Sequence, residues 1–246
     1  MFKFKLNANA HTPRTYAIGR LGNQIIRNLA VSLIAMKHDL KVEYCNKELI
    51  ERLGFTLFSG KKLQSNIKRF TLTYEDYFNI HNFQTKEICN IIHKHLHTES
   101  ARSTIISKNP FQKRYNANND LFIHVRLADV ANENPGINYY LNAIKRIEFD
   151  KLYVSTDDKT HEIVLNLLIF FPEAELVETD EIRTIQFAST CKHVILSHGS
   201  FSAIIGYLSF FSNVYYPEYE PNKIWHGDMF SIDGWTKVPK SGTSQQ

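Results

Sequence analysis

Leu121-Phe122-Ile123-His124-Val125-Arg126-Leu127-Ala128-Asp129 is the stretch on which the reading of this chain turns. Residues 121–125 form an apolar, β-prone run of strand length, and the run leads straight into a guanidinium. Side chains alternate along a strand, so His124 and Arg126 share a side if the strand continues. An arginine at the end of a buried strand is costly unless it meets an anion. Its planar fork matches the geometry of a phosphate. Asp129 is a second candidate for that anion, in which case the pair is structural.

Outward from this stretch, short β-like runs alternate with helical ones. Downstream, the pattern predicts a helix over 138–147 after Pro135-Gly136, a strand over 151–156 and a helix over 159–170. A short strand over 175–177, a helix over 181–189, a strand over 192–196 and a helix over 202–211 follow. A strand over 213–216 closes the series, and the tail from Lys237 reads as frayed. Upstream, 15–18 reads as a strand, followed by a turn at Gly19-Arg20-Leu21-Gly22. Leu21, Ile25, Ile26, Leu29, Ala30, Leu33 and Ile34 then recur at helical spacing. A strand over 41–44 and a short helix over 47–53, stopped at Gly54, complete that pattern. The stretch 55–83 has no clean period, and 86–97 returns to helix spacing.

Strands and helices alternating in this way predict an α/β protein of parallel βαβ units, with helices on both faces of the sheet. The polar run 98–119 carries Arg102, Lys108, Lys113 and Arg114, and ends in Asn116-Ala117-Asn118-Asn119. That end reads as a linker between domains of residues 1–118 and 119–246.

Composition narrows the class. The 246 residues are 43% hydrophobic, which excludes wholesale disorder. The net charge of +4 suits an anionic small ligand better than a nucleic-acid surface, although 102–114 is basic. The apolar windows 163–171 and 201–211 are too short for a membrane span and read as buried helices. The N-terminus lacks the apolar core of a signal peptide, and three scattered cysteines suit a reducing compartment. The expectation is a soluble cytoplasmic protein of undetermined oligomeric state.

Ligands of such sheets bind at the carboxyl ends of the strands. Polar residues collect there at Gly19–Gln24, Arg126–Asp129, Asp157-Asp158, Glu178–Asp180 and Ser197–Ser202. The glycines let backbone approach a ligand, and helix N-termini attract anions. Asp157 and Asp158 fit helix capping equally well, and for Glu178–Asp180 capping is the favoured reading. His93, His95 and His97 would share a face on a strand, but their apolar neighbours indicate a helix, which splays them. No metal is therefore expected.

Taken together, these segments resemble the fucosyltransferase superfamily, and most closely its α-1,2-fucosyltransferases. Gly19-Arg20-Leu21-Gly22-Asn23-Gln24 resembles that family's opening motif, and His124 to Asp129 its donor-phosphate motif. Asn138-Tyr139-Tyr140 with Ala143-Ile144, Tyr153 to Asp158 and Ile195 to Ser202 resemble three further segments, in the same order. Leu127 stands where the family has a second arginine, and Ala128 where it has glycine.

The resemblance implies a GT-B-like fold of two Rossmann-type halves with the ligand cleft between them. It implies inverting, metal-independent transfer of a sugar, L-fucose from GDP-fucose, to a glycan hydroxyl, with no cofactor beyond that donor. Arg126 would hold the β-phosphate, and Asp129 would orient it or contact the nucleotide. His124, Gly22, Asn23, Asp157, Asp158, Ser197, His198, Ser200, Phe201 and Ser202 would line the donor site. Asp129, Glu75 and Asp76 are candidates for the general base. The alternatives are another nucleotide-sugar donor, or a nucleotide- or glycan-binding module without catalysis.

Overall fold

The computed structural model describes Thr15 and residues 19–62, 83–219 and 227–240. The expected strand over 15–18, apart from Thr15, and the candidates Glu75 and Asp76 lie outside these residues. The chain forms two compact units. One comprises Met1–Lys108 with Pro221–Met229, the other Asn109–Glu220 with Phe230–Gln246.

In the first unit, helix α1 (Leu21–His38) buries Ile25, Ile26, Leu29, Ala30 and Ala35, the face that the apolar spacing selects. It ends at Asp39 in the left-handed conformation. Helix α2 (Lys47–Glu51) follows, and Gly54 comes after it with φ +87°. A Cβ at Gly54 would lie 2.6 Å from the Cα of Ile105. Only glycine lets the chain pass helix α4 (Glu99–Lys108) so closely. Helix α3 (Lys86–Leu96) is capped by Thr85, whose hydroxyl accepts from the Ile88 N–H.

The expected strand over 41–44 appears only as isolated bridge residues, including Leu40 paired with Lys62. Ser59 explains part of this. Its hydroxyl accepts from the Val42 N–H and donates to the Val42 carbonyl, both at 2.9 Å, occupying groups a ladder would use.

The second unit is an α/β layer built on one sheet. Its strands are β1 (Leu121–Val125), β2 (Leu152–Thr156), β3 (Glu175–Leu176), β4 (His193–Ile195), β5 (Asn213–Pro217) and β6 (Thr236–Val238). All pair in parallel, in the order β3-β2-β1-β4-β5-β6. Helices α5 (Ile137–Ile144), α6 (Glu162–Phe170), α7 (Glu181–Ala188) and α8 (Ser200–Leu208) intervene. Strand β1 is buried along its whole length, as expected of a central parallel strand covered on both faces.

Three expectations change here. Residues 236–238 are a sixth strand rather than a frayed tail: Val238 is fully buried and packs in the core. The segment before it is anchored too, since Trp235 lies against Gly206 of α8, where a Cβ would approach the indole to 2.4 Å. Second, α6 is not a buried helix. Ile163, Val164 and Leu167 face the core, whereas Leu165, Ile169 and Phe170 are exposed. Helix α8 is the buried one, from Ser202 through Leu208.

Third, Asn116–Asn119 is not a loose linker. Asn118 donates to the carbonyls of Arg114 (2.6 Å) and Thr190 (3.0 Å), and its Oδ1 accepts from the Asp120 and Lys192 N–H groups. Asn119 donates to the Glu148 carbonyl. These amides saturate backbone groups at the amino ends of β1 and β4, and so belong to the second unit.

Candidate functional site

The sheet order fixes where the second unit presents its polar residues. From β1 the chain moves outward to β2 and β3, then crosses back to β4 on the other side of β1. Helices leaving β1 and β4 cover opposite faces at that reversal, which leaves a crevice at the carboxyl ends of the two strands. His124, Ser197 and Ser202 meet there, although β1 and β4 are far apart in sequence, and Arg126 follows at the same end of β1.

Arg126 lies just beyond β1, its side chain 15% exposed. Its Nη1 donates to Asp157 Oδ2 at 2.7 Å, and its Nη2 donates to Asp129 Oδ1. The two carboxylates are held differently. Asp157 (25% exposed) also accepts the Leu127 N–H on Oδ1 at 2.7 Å, so both of its oxygens are committed. Asp129 is 59% exposed. Of the two carboxylates on Arg126, Asp129 is the more open to solvent.

The neighbouring residues sort by environment. His124 is buried, and its Nδ1 lies 2.5 Å from Ser202 Oγ. Burial pulls its pKa down to about 4, against the opposing pull of Asp157, so the imidazole is neutral at pH 7. Ser202 Oγ also accepts the Ser197 N–H at 3.1 Å. Phe201 packs its ring 5.1 Å from that of His124. His198 is buried with its ring edge-on to Tyr219. Ser200 opens α8 behind Gly199, whose φ of +96° only glycine adopts freely. A Cβ there would meet no atom within 4 Å among the described residues.

Asp158 stands apart from its neighbour. It accepts from the Thr160 N–H and hydroxyl in a local turn, and these bonds hold its pKa below the usual carboxylate value. The capping reading of Asp157-Asp158 does not hold, because His161 caps α6. Asp180 does cap α7, accepting the Arg183 N–H at 2.8 Å.

Gly22 and Asn23 lie in the first turn of α1, in the other unit. Asn23 accepts from Gln84 at 2.6 Å, and Gln24 joins the Gly19 carbonyl to Asn46. On α3, His93 and His97 stack one turn apart with ring centroids at 3.9 Å. Among the described residues, no group of three or more histidines, cysteines or carboxylates could hold a metal ion.

The basic run 102–114 is not a continuous cationic surface, since Arg114 is occupied by Asp120 and Thr190. The sequence reading missed Asn134. Its Nδ2 donates to the Arg126 carbonyl at 2.8 Å and to the Tyr140 hydroxyl at 3.1 Å. Standing before Pro135-Gly136, it reads only as a loop residue.

No helix among the described residues is long and apolar enough to cross a membrane. No family model matches the chain, and no curated protein matches it. Two solved structures are similar to it, each at 12% identity. One is the NodZ alpha-1,6-fucosyltransferase soaked with GDP-fucose, with a TM-score of 0.43 over 80% of this chain and 91% of that one. The other is the selenomethionine fucosyltransferase NodZ from Bradyrhizobium, with a TM-score of 0.44 over 82% of this chain and 92% of that one.

Proposed function

We propose that this protein is a glycosyltransferase of the GT-B type, using a nucleoside-diphosphate sugar, with GDP-fucose the first donor to test. The supporting observation is Arg126. It sits at the carboxyl end of β1, at the reversal of strand order, with one committed and one exchangeable carboxylate on its guanidinium. A cation held there suits a diphosphate, and the N-terminus of α8 adds positive potential at the same end of the sheet.

In the proposed reaction the acceptor hydroxyl oxygen attacks the anomeric carbon while the bond from that carbon to the β-phosphate oxygen breaks. The bonding pair leaves with the diphosphate, and Arg126 stabilises the charge that develops there. Preorganised charge stabilisation of this kind is commonly the largest catalytic contribution. The hydroxyl proton passes to a carboxylate base, for which Asp129, once released from Arg126, is the candidate on the second unit. The reading is metal-independent with inversion at the anomeric carbon, and places the enzyme in the cytoplasm acting on a glycan.

Leu127 does not weaken this reading. Its side chain is fully buried in the core, so a second arginine at that position would need a different backbone course. The test is nucleotide release and sugar transfer with GDP-fucose and a panel of other nucleotide sugars, alongside calorimetry with GDP and UDP. Turnover supports the proposal, and the absence of both turnover and nucleotide binding overturns it. Tight binding with no transfer to any acceptor would leave a binding module.

A further inference from the structure

We infer that Asn134 is a positioning residue for Arg126, and that Tyr140 couples it to the Ser197 loop. The inference rests on the reading that Arg126 binds a phosphate. Just past β1, at the entry to a kinked 3-10 helix over Ala128–Glu133, the backbone is irregular. Leu127 has φ −132° and ψ −104°, and Ala128 has φ +30°, a region that L-residues enter only under constraint. Such a segment persists where its surroundings over-determine it. Two side chains do so here: Asp157 takes the Leu127 N–H, and Asn134 takes the Arg126 carbonyl.

The Asn134 amide can stand only one way round. Its Oδ1 accepts the Gly136 N–H at 2.9 Å, and a backbone N–H can only donate. Its Nδ2 therefore faces two acceptors, the Arg126 carbonyl and the Tyr140 hydroxyl. Burial raises the pKa of Tyr140, which keeps its hydroxyl protonated, and it donates to Ser197 Oγ at 3.1 Å. One side-chain amide thus ties the loop after β1 to the start of α5, and through Tyr140 to the loop after β4. Pro135 favours the extended conformation Asn134 adopts, with φ −61° and ψ 138°. Because Asn134 is only half-buried, water can replace its bonds without loss of the fold. What is lost is the fixed direction of the guanidinium.

The test uses the full-length chain. In the ligand-free protein, the Arg126 side-chain Nε–H resonance, assigned by its loss in Arg126→Lys, should shift and broaden in Asn134→Ala. The Arg114 resonance should not move. Tyr140→Phe should produce a smaller change of the same kind. Calorimetry with GDP should show Asn134→Ala weakening affinity by roughly tenfold or more, and no further weakening when Asn134→Ala is added to Arg126→Ala. An unmoved Arg126 resonance, or a full additional loss in the double variant, would overturn the inference. If the wild type binds no GDP but the resonance still responds to Asn134→Ala, the phosphate reading of Arg126 fails and the positioning stands.

Discussion

Strand β1 has an arginine–carboxylate pair at each end, and the two pairs differ in how their carboxylates are held. At the amino end, Arg114 donates to Asp120 Oδ2 at 2.7 Å and to Thr190 Oγ1 at 3.1 Å. Its guanidinium carbon lies 4.6 Å over the Phe187 ring, and Asp120 is only 8% exposed. Cys191 beside it is a buried thiol whose pKa burial pushes up to about 12, so it adds no competing charge. At the carboxyl end, one partner of Arg126 is tied to backbone and the other is open to solvent. At the amino end the carboxylate is buried and the arginine, though more exposed than Arg126, lies over an aromatic ring, which suits structure. The carboxyl-end pair has one exchangeable anion, which suits a ligand.

The largest expected effects exchange roles between the two arginines. Arg126→Ala should reduce transfer on the order of 10²–10³-fold while the unfolding midpoint stays within a few degrees of wild type. Arg114→Ala should do the reverse, costing about 3 kcal/mol of stability by stranding Asp120 and leaving turnover per folded molecule unchanged. Denaturant unfolding alongside kinetics separates the two, and a stability loss as large in Arg126→Ala would break the distinction.

Next in size is a pH effect at the carboxyl end. His124 titrates near 4 when folded and near 6.5 when unfolded. Between these values the unfolded chain binds the extra proton, so the contribution of His124 is full above pH 6.5 and falls as pH drops toward 4. The loss is about 3 kcal/mol. Unfolding measured at pH 7.0, 5.5 and 4.5 should show a shallower acid loss in His124→Asn, and parallel profiles would refute the assignment.

A smaller effect concerns the exchangeable carboxylate. Asp129→Asn should tighten binding of GDP by about threefold, the scale of an exposed ion pair, while slowing transfer. Weaker binding in calorimetry would mean that Asp129 supports the ligand instead of yielding to it. The smallest is Ala128→Gly, which relieves the positive φ at a cost in chain entropy and should change stability by less than about 1 kcal/mol in the favourable direction.

Much of the carboxyl end was legible from local pattern. A five-residue apolar run followed by Arg126, and a second run ending in Ser155-Thr156-Asp157, mark strand ends because buried parallel strands tolerate polar residues only where they emerge. Asn134 was not legible, because nothing in an Asn-Pro-Gly sequence distinguishes a loop residue from one whose amide reaches back to a carbonyl at the start of the same connection. The basic look of Arg114 misled for the same reason: its partners Thr190 and Phe187 are distant in sequence. Strand β6 escaped because Thr236-Lys237-Val238 is no apolar run, unlike the segment around β4, and its place comes from pairing with β5.

The sequence by itself determined the α/β alternation of the second unit and the positions of its polar strand ends, since these depend on side-chain spacing within one element. Only the tertiary structure decided that β1 lies between β2 and β4, that Asp157 rather than Asp129 is the fixed partner of Arg126, and that Asn134 and Tyr140 bind two loops together. Those are pairings between segments far apart along the chain. They follow from which apolar faces and backbone edges can be buried at once, and no local pattern records that choice.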